Sequence, residues 1–180
     1  MHEVMEAAEE HGNHEELPFL IPVAVTLSIL AVLVAIATLL GHRAATEELM
    51  LQTKATDQWA YFQAKNIRLH EMQSVADMLG TFTTIDKEKA EALREKYVKE
   101  TERYGKEKDE ISEQAKDLER ERDLAGRRED RFDAAEVILE IALIVCSLTL
   151  LTKKKIFWFS GIALGVAGFC VTLSGFLLHY

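Results

Sequence analysis

The sequence predicts an all-α fold: three transmembrane helices, with a long extramembrane antiparallel helical hairpin of coiled-coil-like character between the first and the second. Three observations carry that reading. Residues 17–40, 134–151 and 156–178 form three apolar blocks totalling 65 residues with only two charged side chains, Glu136 and Glu140, while the other 115 residues hold 49 charges. About 20 apolar residues cross a hydrocarbon core as a helix. Prolines occur only at Pro18 and Pro22, so nothing but glycine interrupts the remaining 158 residues. Finally, a seven-residue apolar repeat runs through the charged middle of the chain. The averages over all 180 residues, a net charge of -9, 48% apolar content and a mean hydropathy of -0.03, blend these two materials. Their segregation excludes a single compact soluble domain and a strongly basic nucleic-acid binder.

Residues 1–16 carry six glutamates and no lysine or arginine. Such a segment cannot bury enough apolar surface to order itself and reads as an acidic disordered tail. Its His11 and His14 have H-x-x-H spacing, a weak divalent-metal signal that the acidic-tail reading outweighs, so no metal site is assigned. A secretory signal opens with basic residues and has an apolar core of roughly 7 to 15 residues. The 24-residue block 17–40 lacks both features and reads as a retained membrane helix.

Residues 41–133 hold 18 basic and 22 acidic side chains. The best turn signal lies at 80–86, where Gly80 suits a helix C-terminal cap and Thr83 with Asp86 resembles a capping box. The second arm has Ala90, Tyr97, Tyr104, Ile111, Leu118, Ala125 and Phe132 at strict seven-residue spacing, a pattern that supercoils against a partner helix. Its companion column, Leu93, Glu100, Glu107, Gln114, Glu121 and Arg128, is mostly polar. One apolar column buries little, so this arm needs the first, which offers Ala55, Phe62, Leu69 and Ala76 with Leu51, Met72 and Leu79 alongside. At about 1.5 Å per residue the arms would reach roughly 60 to 70 Å from a bilayer.

The stretch from Leu51 to Lys65 is the least generic part of the chain. Gln52, Asp57, Gln58, Trp59, Tyr61, Phe62 and Gln63 concentrate amides and aromatics there. Trp59 stands roughly 28 Å past the first apolar block along a continuous helix, too far for a membrane-surface aromatic belt. These residues read as an assembly surface, a helix-to-helix contact within the chain or between subunits, with a ligand or partner surface as the alternative.

This stretch, Glu48 to Lys65, also carries a family resemblance, together with Arg131-Phe132-Asp133, Glu136, Leu139 to Leu143 and the Leu151 to Trp158 loop. The chain resembles a bacterial membrane-protein family catalogued only as a domain of unknown function. The resemblance implies a bacterial inner-membrane protein with this helix order, and brings no catalytic residue.

Glu136 and Glu140 are the candidate ion or proton site. A carboxylate in a membrane helix is costly unless it is protonated, paired or facing water. With Glu129 and Asp133 they line one side of the second membrane helix, and His42 and Arg43 emerge from the first at similar depth. A buried polar clamp between the two helices is the structural alternative. The third membrane helix places Gly161, Gly165, Gly168, Thr172 and Gly175 on one face, and the first carries a small-residue row, Ala24, Ser28, Ala31, Ala35 and Thr38. Small residues let helix backbones approach closely. Either the two rows pack within one chain, or one of them mediates oligomerisation.

The loop 152–155, with Lys153, Lys154 and Lys155, is a short basic loop of the kind retained in the cytoplasm, whereas the arginines before the second membrane helix argue the other way. Because long loops translocate largely regardless of charge, the balance favours an extracytoplasmic hairpin. Neither a phosphate-binding glycine loop, nor C-x-x-C, nor a nucleophile elbow occurs, and His70-Glu71 lacks the second histidine of the metalloprotease helix. The expectation is a non-enzymatic membrane scaffold or accessory protein without a cofactor. It would be embedded in the lipid bilayer, homo-oligomeric and associated with another membrane complex, with no nucleic-acid partner. The alternative is an oligomeric ion channel or ion-coupled transporter using Glu136 and Glu140.

Overall fold

A computed structural model describes residues 19–81 and 87–178. The chain forms three helices, α1 (His2–Thr81), α2 (Lys87–Thr152) and α3 (Lys155–Leu177). No strand occurs among the described residues. The acidic tail, with His11 and His14, and the Thr83–Asp86 capping pair lie outside the described residues. The composition accounts for the helices. Past Pro22 no residue lacks a backbone N–H, and helix formers dominate both arms.

The first apolar block and the first hairpin arm thus belong to one helix, as do the second arm and the second apolar block. α1 and α2 pack extensively against each other as an antiparallel hairpin. Gly80 stays inside the last turn of α1, and no glycine among the described residues has a positive φ. The helix therefore ends without the left-handed glycine cap that the sequence suggests. The connection between α2 and α3 is also tighter than the expected four residues, because Thr152 still belongs to α2 and Lys155 already to α3. Lys153 turns the chain at φ 56, and its N–H donates to the Thr149 carbonyl at 2.8 Å, closing the end of α2.

The chain divides into two compact units: Met1–Thr46 with Leu124–Tyr180, and Glu47–Asp123. Within the second unit α1 and α2 meet at Gln52 with Arg122, Gln58 with Gln114, and Lys65 with Glu107. One number falls as the other rises, as antiparallel pairing requires. Leu51, Ala55, Leu69 and Ala76 of α1 and Ile111 and Ala115 of α2 are buried between the helices. Phe62, Tyr97, Tyr104 and Leu118 are half-buried beside them. The seven-residue columns are thus the ones that turn inward. With only a few large side chains, each worth about 1.5 to 3 kcal/mol when fully buried, this interior is thin.

In the first unit Val23, Leu30 and Ala37 of α1 meet Leu139, Ala142 and Cys146 of α2. The buried residues of α3 are Gly161, Gly165, Gly168, Thr172 and Gly175. Each helix is long and apolar enough to cross a membrane, yet only 11%, 28% and 22% of their respective apolar windows are buried. Large aliphatic residues, including Ile21, Ile29, Val32, Val137, Ile144 and Val166, point outward. On α3 the inner face is made of smaller residues than the outer one, which carries Phe159, Val166, Phe169, Leu173 and Phe176.

Candidate functional site

In the second unit, the Leu51–Lys65 stretch is a clasp between the arms. The Trp59 indole N–H donates to Glu119 Oε1 at 2.9 Å, Gln58 Nε2 donates to Gln114 Oε1 at 2.6 Å, and Arg122 donates to Gln52 Oε1 at 2.8 Å. Phe62 packs edge-on against Trp59 at 5.4 Å between ring centroids and lies under Lys108 at 5.7 Å. The centre of the clasp is Lys65. Its ammonium pairs with Glu107 at 2.5 Å and stands 5.4 Å from the Tyr61 ring centroid and 4.9 Å from that of Tyr104. The hydrogen bond to Glu107 raises the pKa of Lys65, against the opposing effect of partial burial, and the same bond lowers that of Glu107. Both groups are therefore charged across the neutral range.

Sequence reasoning singled out five of these α1 residues as a surface, Gln52, Gln58, Trp59, Tyr61 and Phe62, but missed Lys65 and the α2 acids Glu107 and Glu119. The signal was present. The polar companion column, read as a weakness of the second arm, contains Glu107 and Gln114, the residues that receive the lysine and amide of α1. Asp57 and Gln63 are exposed, and Tyr61 is half-exposed at 49%.

In the first unit, the carboxylates do not gather into one cluster. Glu136 is half-buried at the seam with α1, where the Thr38 hydroxyl donates to its Oε1 at 2.7 Å. That hydroxyl has a single proton and also lies 3.0 Å from the Val34 carbonyl. Glu140, one turn on, is exposed on the outside of α2 and has no partner among the described residues. Asp133 is exposed, with its Oδ1 close over Gly41, where an added Cβ would stand 2.9 Å away. His42 and Arg43 are exposed as well. Buried Phe132, Ala135, Leu139 and Ala142 mark the inner face of α2, and the acids sit at its edge and beyond. Among the described residues no three histidine, cysteine or carboxylate groups converge as a metal would require.

The glycine row of α3 faces inward. A Cβ at Gly161 would stand 2.8 Å from Cys146 Cβ, at Gly165 2.6 Å from Leu30 Cδ2, at Gly168 2.7 Å from Leu139 Cγ, and at Gly175 2.7 Å from Phe132 Cε1. The row thus lies in the groove between α1 and α2. Its neighbours are bulky side chains rather than the small row of α1, where Ala24, Ser28, Ala31 and Ala35 are exposed. At the start of α3 the Trp158 indole donates to Thr26 Oγ1 at 3.1 Å and packs edge-on against Phe19, which also lies under Lys155.

These features define an all-α protein built on a long antiparallel helical hairpin and carrying three helices of membrane-spanning length. Residues 19–178 match the family described as a domain of unknown function, DUF4337, and the chain belongs to that family. No curated protein and no solved structure matches it.

Proposed function

We propose that the chain is a non-enzymatic integral membrane scaffold or accessory protein of the bacterial inner membrane, which oligomerises through its membrane helices and its hairpin and holds another membrane complex. Insertion is supported by the outward-facing aliphatic surface of the first unit, which suits lipid as solvent. Glu140 carries the argument for assembly. A carboxylate exposed in an apolar span costs on the order of 3 kcal/mol or more in a bilayer, and a neighbouring subunit facing it offsets that cost. The exposed small-residue row of α1 offers a second place for close helix contact.

The particle mass in detergent tests this reading. Light scattering is expected to give several chains per particle, and Glu140→Ala should reduce the mass. A particle holding one chain at every accessible concentration removes the proposal. For orientation, we infer an extracytoplasmic hairpin from the lysine loop. A cysteine introduced in the turn at 80–86 should react with a membrane-impermeant thiol reagent in intact cells, and labelling only after lysis reverses the orientation.

The second reading, an oligomeric ion channel or ion-coupled transporter, is favoured by the Thr38–Glu136 contact one turn from Glu140. It predicts ion flux through reconstituted vesicles that the double substitution Glu136→Gln with Glu140→Gln abolishes. The scaffold reading predicts no flux in either form.

A further inference from the structure

At the loop end of the first unit, charge and apolar surface are stacked on one side of α1 and α3. Along α3, Lys155, Ile162, Val166 and Phe169 follow one another at spacings of seven, four and three, and along α1 Phe19, Thr26 and Leu33 at seven. Residues so spaced share one face of a helix. The upper members meet. The Lys155 ammonium stands 5.4 Å from the Phe19 ring centroid, and Trp158 packs edge-on against the same ring at 5.8 Å. Beneath them an open groove of about 480 Å³ runs between the two helices, walled by Ile29 and Leu33 on one side and Ile162, Val166 and Phe169 on the other. Gly165 keeps it open at its floor, where an added Cβ would stand 2.6 Å from Leu30 Cδ2.

The groove suits hydrocarbon. Thr26 is its one polar side chain, and that hydroxyl donates to the Pro22 carbonyl at 2.8 Å and accepts from the Trp158 indole at 3.1 Å. From Lys155 to Phe169 the helix rises about 21 Å, roughly the path from a bilayer surface to the middle of a hydrocarbon core about 30 Å thick. The head of the groove is the opposite material. Lys154 and Lys155 are exposed there, and neither residues 19–40 nor residues 141–178 contain an aspartate or glutamate. No side chain caps α3 at Lys154, so the N–H groups of its first turn add to the attraction for an anion.

We propose that this groove and its lysines bind one anionic phospholipid of the phosphatidylglycerol kind, with the phosphate on Lys154 and Lys155 and one acyl chain between α1 and α3. The inference rests on the membrane-insertion part of the reading above. Basic residues at the head of a cleft between membrane helices select lipids by charge, because a zwitterionic headgroup brings its own cation to the lysines and an anionic one does not. The apolar walls fix where the chain lies, and the lysines fix which headgroup sits above it. The six glutamates of residues 1–16 are the rival for the same lysines.

Trp158 reports on the site. The full chain is reconstituted in phosphatidylcholine vesicles in which a fixed share of the lipid, either phosphatidylglycerol or phosphatidylcholine, is brominated near the glycerol end of its acyl chains. Bromine quenches an indole only at close range, and Trp59, the other tryptophan, lies in the hairpin outside the apolar spans and gives a common background. Competition at the site, read from the quenching, should favour phosphatidylglycerol by about threefold or more. Lys154→Gln with Lys155→Gln should bring that preference to about one, as loss of the basic headgroup site requires. Val166→Phe and, from the opposite wall, Ile29→Phe fill the groove and should each weaken quenching by brominated phosphatidylglycerol. Equal quenching by the two lipids, the result if the acidic segment 1–16 occupies the lysines, overturns the proposal. A preference that survives the lysine substitutions, or quenching unchanged by both groove-filling substitutions, overturns it as well. Protein that fails to float with the vesicles removes the membrane reading together with this site, whereas equal quenching in floated protein removes the site alone.

Discussion

Gly161 of α3 and Cys146 of α2 approach so closely that a Cβ at position 161 would stand 2.8 Å from the cysteine Cβ and 3.1 Å from its Cα. Two of the nearest atoms are backbone, which cannot swing aside. Gly161→Ala should therefore destabilise the first unit by about 1 to 3 kcal/mol, the usual cost of overpacking. Gly105→Ala is the control, since the nearest atom there is Leu69 Cδ1 at 3.8 Å. It should stabilise the second unit by about 0.5 to 1 kcal/mol through helix propensity. Thermal unfolding of the two variants in one detergent checks the sign of each.

Thr149 is fully buried, and its hydroxyl has no hydrogen-bond partner among the described residues. Thr149→Val removes that unpaired group and keeps the shape, so it should raise stability by about 1 kcal/mol. Thr149→Ser keeps the hydroxyl and loses a methyl, and should lower stability by a similar amount. A loss on Thr149→Val would mean that the hydroxyl has a partner in the working protein.

Trp59 ties α1 to α2 through one hydrogen bond to a carboxylate. Trp59→Phe keeps most of the ring packing against Phe62 and should cost about 1.5 to 3 kcal/mol, the range for a bond to a charged acceptor. A double-mutant cycle with Glu119→Gln should show coupling of about 1 kcal/mol; additive effects would show that the ring rather than the bond holds the arms.

The Lys65–Glu107 pair gives the hairpin a pH window. The folded pKa of Glu107 lies below its ordinary 4.5, so its contribution is complete above that value and is lost as pH falls through the lowered one. That of Lys65 lies above its ordinary 10.5, so its contribution is complete below 10.5 and is lost as pH rises through the raised value. Glu107→Gln should lower the neutral plateau of hairpin stability modestly and leave the acid end unchanged, so that the acid limb flattens, followed by circular dichroism against pH. The pair is part-exposed and screened by salt, so the effect is modest.

The helix order and the hairpin were legible because both rest on periodicity and on the segregation of charge, which no tertiary contact overrides. Phe132 shows how far that reached. It closes the seven-residue column of the second arm, and the same spacing continues through Leu139 and Cys146 into the apolar block, all of them buried. The clasp was half legible. Trp59 and Gln58 stood out by residue type, but Lys65 and Glu107 look like ordinary surface charges until the antiparallel register brings them together. The carboxylates of α2 share a face at the level of spacing, yet a rotation of a few tens of degrees separates Glu136, which reaches Thr38, from Glu140, which does not. Spacing in one sequence cannot fix that rotation, because it depends on where the neighbouring helix lies. The Gly80 cap alone differs, for a related reason: the glycine reads as a cap, but the helix runs through it to Thr81.

In the first unit Gly161, Gly165, Gly168, Ala37 and Ala142 lie inside and Ile29, Val32, Ile144 and Val166 lie outside. At these positions girth rather than polarity separates inside from outside. Trading one aliphatic residue for another on the outside costs almost nothing, whereas a single added methyl at Gly161 meets the backbone of Cys146 and wedges the helices apart. Hydrophobicity, the usual measure of a conservative replacement, would rank alanine for Gly161 as harmless and is blind to that contact.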